Sequence, residues 1–140
     1  MADLVVTIED LVEYEIAIKL KKKGYDMPCD MYYHIHDDIQ DCISSLESTG
    51  GWCDFYNSKN RYRCAAPSIN NVIRWLREEK NIHLIVEIAD SGWYYTLYPN
   101  VRWEDGKLKS DKYIMSFKNK DSYEDAVLAG IEYVLNNNLI

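Results

Sequence analysis

The segment His34-Ile35-His36-Asp37-Asp38 holds the residue types that most directly suggest chemistry. Two imidazoles two residues apart on a strand point to the same side, and neighbouring carboxylates could complete a metal shell. The metallohydrolase arrangements built this way need a further histidine at close spacing, and the third histidine, His83, is distant in the chain. His34, His36, Asp37 and Asp38 therefore stand as metal candidates, set against the plainer reading of a solvated polar loop.

The other reactive side chains make weaker constellations. Cys29, Cys42, Cys53 and Cys64 form no C-x-x-C pair, which disfavours structural zinc and dithiol redox chemistry. Cys53 or Cys64 would need the fold to bring His83 alongside before either became a nucleophile, and no cysteine-hydrolase motif surrounds them. Gly50-Gly51 lacks the lysine of a phosphate-binding loop, while Gly92 and Gly106 read as turn residues. This pattern assigns no catalytic residue and no cofactor.

The elements that would position such groups belong to a globular chain. Its 140 residues are 47% hydrophobic and 13% aromatic, with 12 tyrosines, enough for a single domain with its own core. The net charge of -7 argues against nucleic acid as a partner, because non-specific affinity for phosphate comes from a basic surface. The start MADLVVTIEDLVEYE lacks the basic, apolar pattern of a signal peptide, and no run approaches the roughly 20 apolar residues of a membrane span. A cytoplasmic protein with reduced thiols is the expectation.

Three segments have helical spacing. Residues 7–23 carry acids at the start and lysines before Gly24, complementing the helix dipole. Ile69, Val72, Ile73 and Leu76 follow the capping residue Ser68 in a helix over 68–80. Asp121 and Glu124 open a helix to residue 136 with the stripe Ala126, Val127, Gly130, Ile131, Val134 and Leu135. Residues 25–66 read as irregular or mixed, with Ile35, Ile39, Cys42, Ile43 and Leu46 at helical spacing and Met31-Tyr32-Tyr33 and Asp54-Phe55-Tyr56 as extended pieces.

Between the last two helices the period becomes two. With Ser91-Gly92 at the centre of a turn, Ile88 would face Tyr95 and Val86 would face Leu97. Glu104-Asp105-Gly106 then turns the chain into a third strand near residues 112–117. The expected fold is α+β: an α-β-β-β-α unit over 67–136, with a three-stranded antiparallel sheet carrying both helices on one face, plus the N-terminal helix. Leu84, Val86, Ile88, Tyr95 and Leu97 form the core face. Ile85, Tyr94, Thr96 and Tyr98 lie on the other, where rigid aromatic groups make a candidate protein-contact surface.

This order of elements is similar to that of the double-stranded-RNA-binding domain. That family holds phosphates with a lysine cluster at the start of its last helix, whereas this chain has Asp121, Glu124 and Asp125 there, so RNA binding does not carry over. The chain also resembles small phage and prophage proteins of gut bacteria at KLKKKGYDMPC (Lys19–Cys29), the Ala66-Pro67-Ser68 entry, RWLREEKNIHL (Arg74–Leu84) and YEDAVLAGIEYVL (Tyr123–Leu135). The resemblance implies an accessory protein and brings no activity or cofactor. The functional expectation is a non-enzymatic interaction protein that binds a protein partner or itself. The alternatives are a metal-dependent enzyme using His34–Asp38 and an acidic nucleic-acid mimic.

Overall fold

The computed structural model describes residues 11–35, 46–48, 55, 57, 62–116 and 119–140. The chain divides into two compact units, Met1–Ile69 and Asn70–Ile140.

In the first unit, helix α1 spans Tyr14–Lys22 and a three-stranded antiparallel sheet follows, made of β1 (Met31–His34), β2 (Leu46–Ser48) and β3 (Arg63–Ala65) in the order β2-β1-β3. The helix starts later than the expected residue 7, because Leu11–Glu13 is extended: Leu11 bridges to Ser68 and the Val12 N–H donates to Pro67 O at 3.0 Å. Its end is as the sequence suggests. Three lysines occupy the last turn, and Gly24 at φ 87 lets the Tyr25 N–H return to Leu20 O.

Ile16, Ala17 and Leu20 form the buried stripe of α1, which packs against β3. The Tyr14 ring meets the Tyr33 ring edge-to-face at 5.5 Å, and the Tyr33 hydroxyl donates to Val12 O at 2.7 Å. Leu46, expected on a helix, lies in β2 opposite Tyr33, a correction that backbone pairing with β1 explains. Met31-Tyr32-Tyr33 is extended as expected, whereas Ile39, Cys42, Ile43, Asp54 and Tyr56 lie outside the described residues. Asn57 closes the outer side of β3: its side-chain oxygen accepts from the Ala65 N–H and its amide donates to Tyr25 O.

The second unit is α+β. Helix α2 (Ile69–Glu79) leads into β4 (Ile82–Ala89), β5 (Gly92–Pro99), the short strands β6 (Arg102–Glu104) and β7 (Lys107–Lys109), β8 (Ile114–Met115) and helix α3 (Tyr123–Asn136). Strands β4, β5 and β8 form the expected three-stranded antiparallel sheet, in that order, and β6 and β7 form a separate hairpin between β5 and β8. The turn at Asp105-Gly106 is therefore the tip of an additional hairpin, and the third strand is two residues long.

The β4–β5 register differs from expectation by two residues. Ala89 pairs with Gly92, Ile88 with Trp93, Val86 with Tyr95 and Leu84 with Leu97. Asp90 and Ser91 make the turn, and neither has positive φ; Gly92, at φ 132, absorbs that conformation as the first residue of β5. A shift by two keeps every side chain on its expected face, but Ile88, expected in the core, lies next to the Asp90-Ser91 turn and is 67% exposed. Helix α3 covers the Leu84, Tyr95 and Leu97 face with Ala126, Val127, Ile131, Val134 and Leu135, all buried. Gly130 sets the closeness of that contact, since a Cβ there would stand 2.6 Å from Leu84 Cδ1 and 3.3 Å from Tyr95 Cγ.

Candidate functional site

On the sheet face away from α3, the β6–β7 hairpin projects beside the strands and encloses an open cleft of about 590 Å³. Ile85 and Tyr98 form its sheet side, Trp103 and Leu108 its hairpin side, with His83, Arg102 and Lys109 at the rim. Trp103 and Leu108 are directly opposite each other across the hairpin and so share a face. They are the most exposed of these apolar groups, at 75% and 62%, and Ile85 is 44% exposed. Tyr113 continues the surface by packing against Tyr98 at a ring separation of 5.9 Å.

Local chemistry dictates the hairpin. Asp105 at φ 54 and Gly106 at φ 73 make the two-residue turn that matches strand twist, for which Asp-Gly is a favoured pair. Its base is held by polar groups. Asn81, at φ 50, accepts from the Asn100 N–H through its carbonyl and donates its side-chain amide to Val101 O at 3.0 Å. The Asp111 N–H donates to Pro99 O, and Arg102 donates to Asn100 O and to the Asp111 and Glu104 carboxylates at 3.0–3.2 Å. Lys109 lies 3.9 Å from both Glu104 and Asp105. The rim cations are therefore matched by carboxylates, and what the cleft offers a ligand is apolar surface.

His83 is the one imidazole in this unit. Its Nε2 stands 3.2 Å from Asn81 Oδ1. Because the Asn81 amide nitrogen is committed to Val101 O, that oxygen can only accept, so Nε2 carries the proton. Burial, then the positive charge of Arg77, holds the imidazole below its usual pKa. The Ser110 hydroxyl donates to Asp111 O rather than to this ring. Among the described residues, the hydrogen bond of this ring is the one to Asn81.

The residues singled out from sequence are distributed unevenly. Ile85 and Tyr98 line the cleft; Tyr94 is half-buried and donates its hydroxyl to Glu87 at 3.1 Å; Thr96 is 3% exposed between its strand neighbours Ile85 and Met115 and offers no accessible surface. His34 ends β1 opposite Arg63, with its ring edge-on to Tyr32 at 5.4 Å. His36, Asp37 and Asp38 lie outside the described residues, as do Cys42 and Cys53. Among the described residues no group of three histidine, cysteine or acidic side chains comes together in a way that could hold a metal ion. Cys29 and Cys64 are buried thiols, and burial pushes the Cys64 pKa up to about 12 despite the opposing charge of Lys21.

Leu108, Arg102 and Lys109 carry no expectation from the sequence, and Trp103 is expected there only to sit near a turn, either exposed or supporting the fold. Their signal was present in RWEDGKLK, where Asp-Gly is flanked by residues that alternate apolar and charged. No helix of the described residues is long and apolar enough to cross a membrane. No family model, curated protein or solved structure matches the chain.

Proposed function

We propose that the chain is a non-enzymatic interaction protein whose second unit binds an apolar segment of a protein partner in the cleft between the sheet and the β6–β7 hairpin. The observation that carries this reading is the cross-strand pair Trp103 and Leu108, held largely exposed over Ile85 and Tyr98 by a polar-clamped hairpin. Large exposed apolar groups cost solubility, and aromatic anchors fixed on a rigid element are what interface cores use. The matched charges of Arg102, Lys109, Glu104, Asp105 and Asp111 form a polar rim around that apolar centre. The accessory role implied by the resemblance to phage and prophage proteins agrees with a binding module.

The test is quantitative affinity capture from cells of the source organism with the full chain, compared with Trp103→Ala and with Glu79→Ala on the exposed end of α2. A partner retained by Glu79→Ala and lost by Trp103→Ala supports the reading. Identical partner sets for all three proteins contradict it.

A further inference from the structure

Strand β4 is an edge strand, and its hydrogen-bonding pattern shows which backbone groups it leaves open. On the far side of β5, Trp93 exchanges both backbone hydrogen bonds with Lys120, and Tyr95 O accepts from the Ser116 N–H. Backbone groups of an antiparallel strand alternate sides, so Tyr94, Thr96 and Tyr98 must bond toward β4, where their partners are Glu87, Ile85 and His83. The Asn100 N–H bond to Asn81 O continues the same alternation. The N–H and C=O groups of Ile82, Leu84, Val86 and Ile88 therefore point outward. Among the described residues, no strand pairs with that side of β4 and its backbone groups make no other hydrogen bond.

Natural edges are blunted by charge, proline, a bulge or a covering segment. β3 shows such a device, with the Asn57 side chain taking the Ala65 N–H. Over its eight residues β4 carries one charge, Glu87, contains neither proline nor lysine, and exposes Ile88 at 67% and Ile85 at 44%.

We infer that this edge pairs with the same edge of a second copy of the chain, giving a two-fold dimer with a continuous six-stranded sheet. Self-complementarity selects both the occupant and the register. Centred on Ile85, antiparallel pairing sets Ile85 against Ile85 of the second copy, His83 against its Glu87, Leu84 against its Val86 and Ile82 against its Ile88. Ile82, Leu84, Ile85, Val86 and Ile88 then meet apolar side chains and His83 meets Glu87, while Ala89 falls opposite Asn81 just beyond the strand. Centring on Val86 would set Glu87 against Ile85, and centring on Glu87 would oppose two carboxylates. The Ile85 pair falls at a non-hydrogen-bonded position, where side chains approach most closely. This pairing is isologous and closes at two copies. It would join the two cleft-bearing faces into one surface, but it does not depend on the cleft having a ligand.

The test is the mass of the full chain in solution by light scattering, for the wild type and for Val86→Pro. Proline at 86 removes an N–H that the monomer leaves outward and the dimer uses, a position where an edge strand tolerates proline. The expected result is a wild-type mass twice that of the chain, halved in Val86→Pro with its circular dichroism and melting transition retained. A monomeric wild type, or a dimer that survives in folded Val86→Pro, would overturn the inference. Should Val86→Pro fail to fold, hydrogen exchange on the wild type decides. Protection of the Leu84, Val86 and Ile88 amides that rises with protein concentration supports the dimer, and concentration-independent exchange contradicts it. Trp103→Ala, which removes the cleft anchor, is expected to leave the mass unchanged, so failure of the cleft reading and failure of the dimer are separately visible.

Discussion

Gly92 packs directly against Lys120: a Cβ on Gly92 would stand 2.6 Å from the Lys120 backbone oxygen, while Trp93 beside it exchanges two hydrogen bonds with the same residue. Gly92→Ala therefore meets a carbonyl that cannot move without breaking the bridge, and the backbone there is at φ 132. Thermal or denaturant unfolding is expected to show a loss of about 2–3 kcal/mol. Gly130→Ala should cost less, about 1 kcal/mol. Its closest obstacle is the end of the Leu84 side chain, which can rotate, and helix propensity returns part of the overpacking cost. A larger loss at 130 than at 92 would show that helix closeness, and not the Gly92–Lys120 approach, limits this unit.

The alternation along β4 makes its own prediction about the monomer. Ile85→Pro removes an N–H bonded to Thr96 and should destabilise by about 3 kcal/mol or more, whereas Val86→Pro, with its N–H outward, should cost far less. Paired melting curves of the two variants check this, and equal losses would contradict the assigned polarity of the strand.

In the first unit, the buried Tyr33 hydroxyl is the partner of Val12 O. Tyr33→Phe leaves that carbonyl without it while keeping the ring contact with Tyr14. The expected loss is about 1–2 kcal/mol in denaturant unfolding. An unchanged midpoint would mean that water replaces the hydroxyl without cost.

Alkaline pH should destabilise the same unit. Burial raises the pKa of Cys64 from an ordinary 9.0 to about 12, and raises those of Tyr25 and Tyr33 as well. A folded state that holds its protons more tightly than the unfolded chain loses stability as pH rises. The Cys64 contribution is therefore complete below pH 9 and is lost between about 9 and 12. Lys21, pulled down chiefly by burial, acts in the opposite sense. Melting temperatures recorded upward from pH 7 should fall beyond pH 9, and Cys64→Ala should flatten part of that fall; a curve identical to wild type would contradict the assignment to this thiol.

How far these features were legible in the sequence follows from element length. Helices α2 and α3 and strands β4 and β5 are long enough for a period to declare itself, and the two sheet faces were readable because Leu84, Val86, Tyr95 and Leu97 recur at alternate positions. The register was not, because the positive φ of Gly92 was assigned to the turn centre, whereas the turn is Asp90-Ser91. Strands of three or four residues such as β1, β2 and β3 show no period, and their partners lie far along the chain. The β6–β7 hairpin was visible as a turn at Asp105-Gly106. Its strands, three residues each, were absorbed into a longer β-meander, so Trp103 and Leu108 were not recognised as a facing pair.

Trp103 and Leu108 are the anchors of the proposed contact. Trp103→Ala should leave unfolding within about 0.5 kcal/mol of wild type, as expected for a side chain that solvent largely surrounds. Its role is most directly tested by placing a photo-crosslinking amino acid at Leu108, and as a comparison at Glu79, and irradiating cells that express the chain. A discrete protein adduct from position 108 that is absent from position 79 is the predicted result. Adducts of equal pattern from both positions, or none from 108, would contradict the cleft as the contact site.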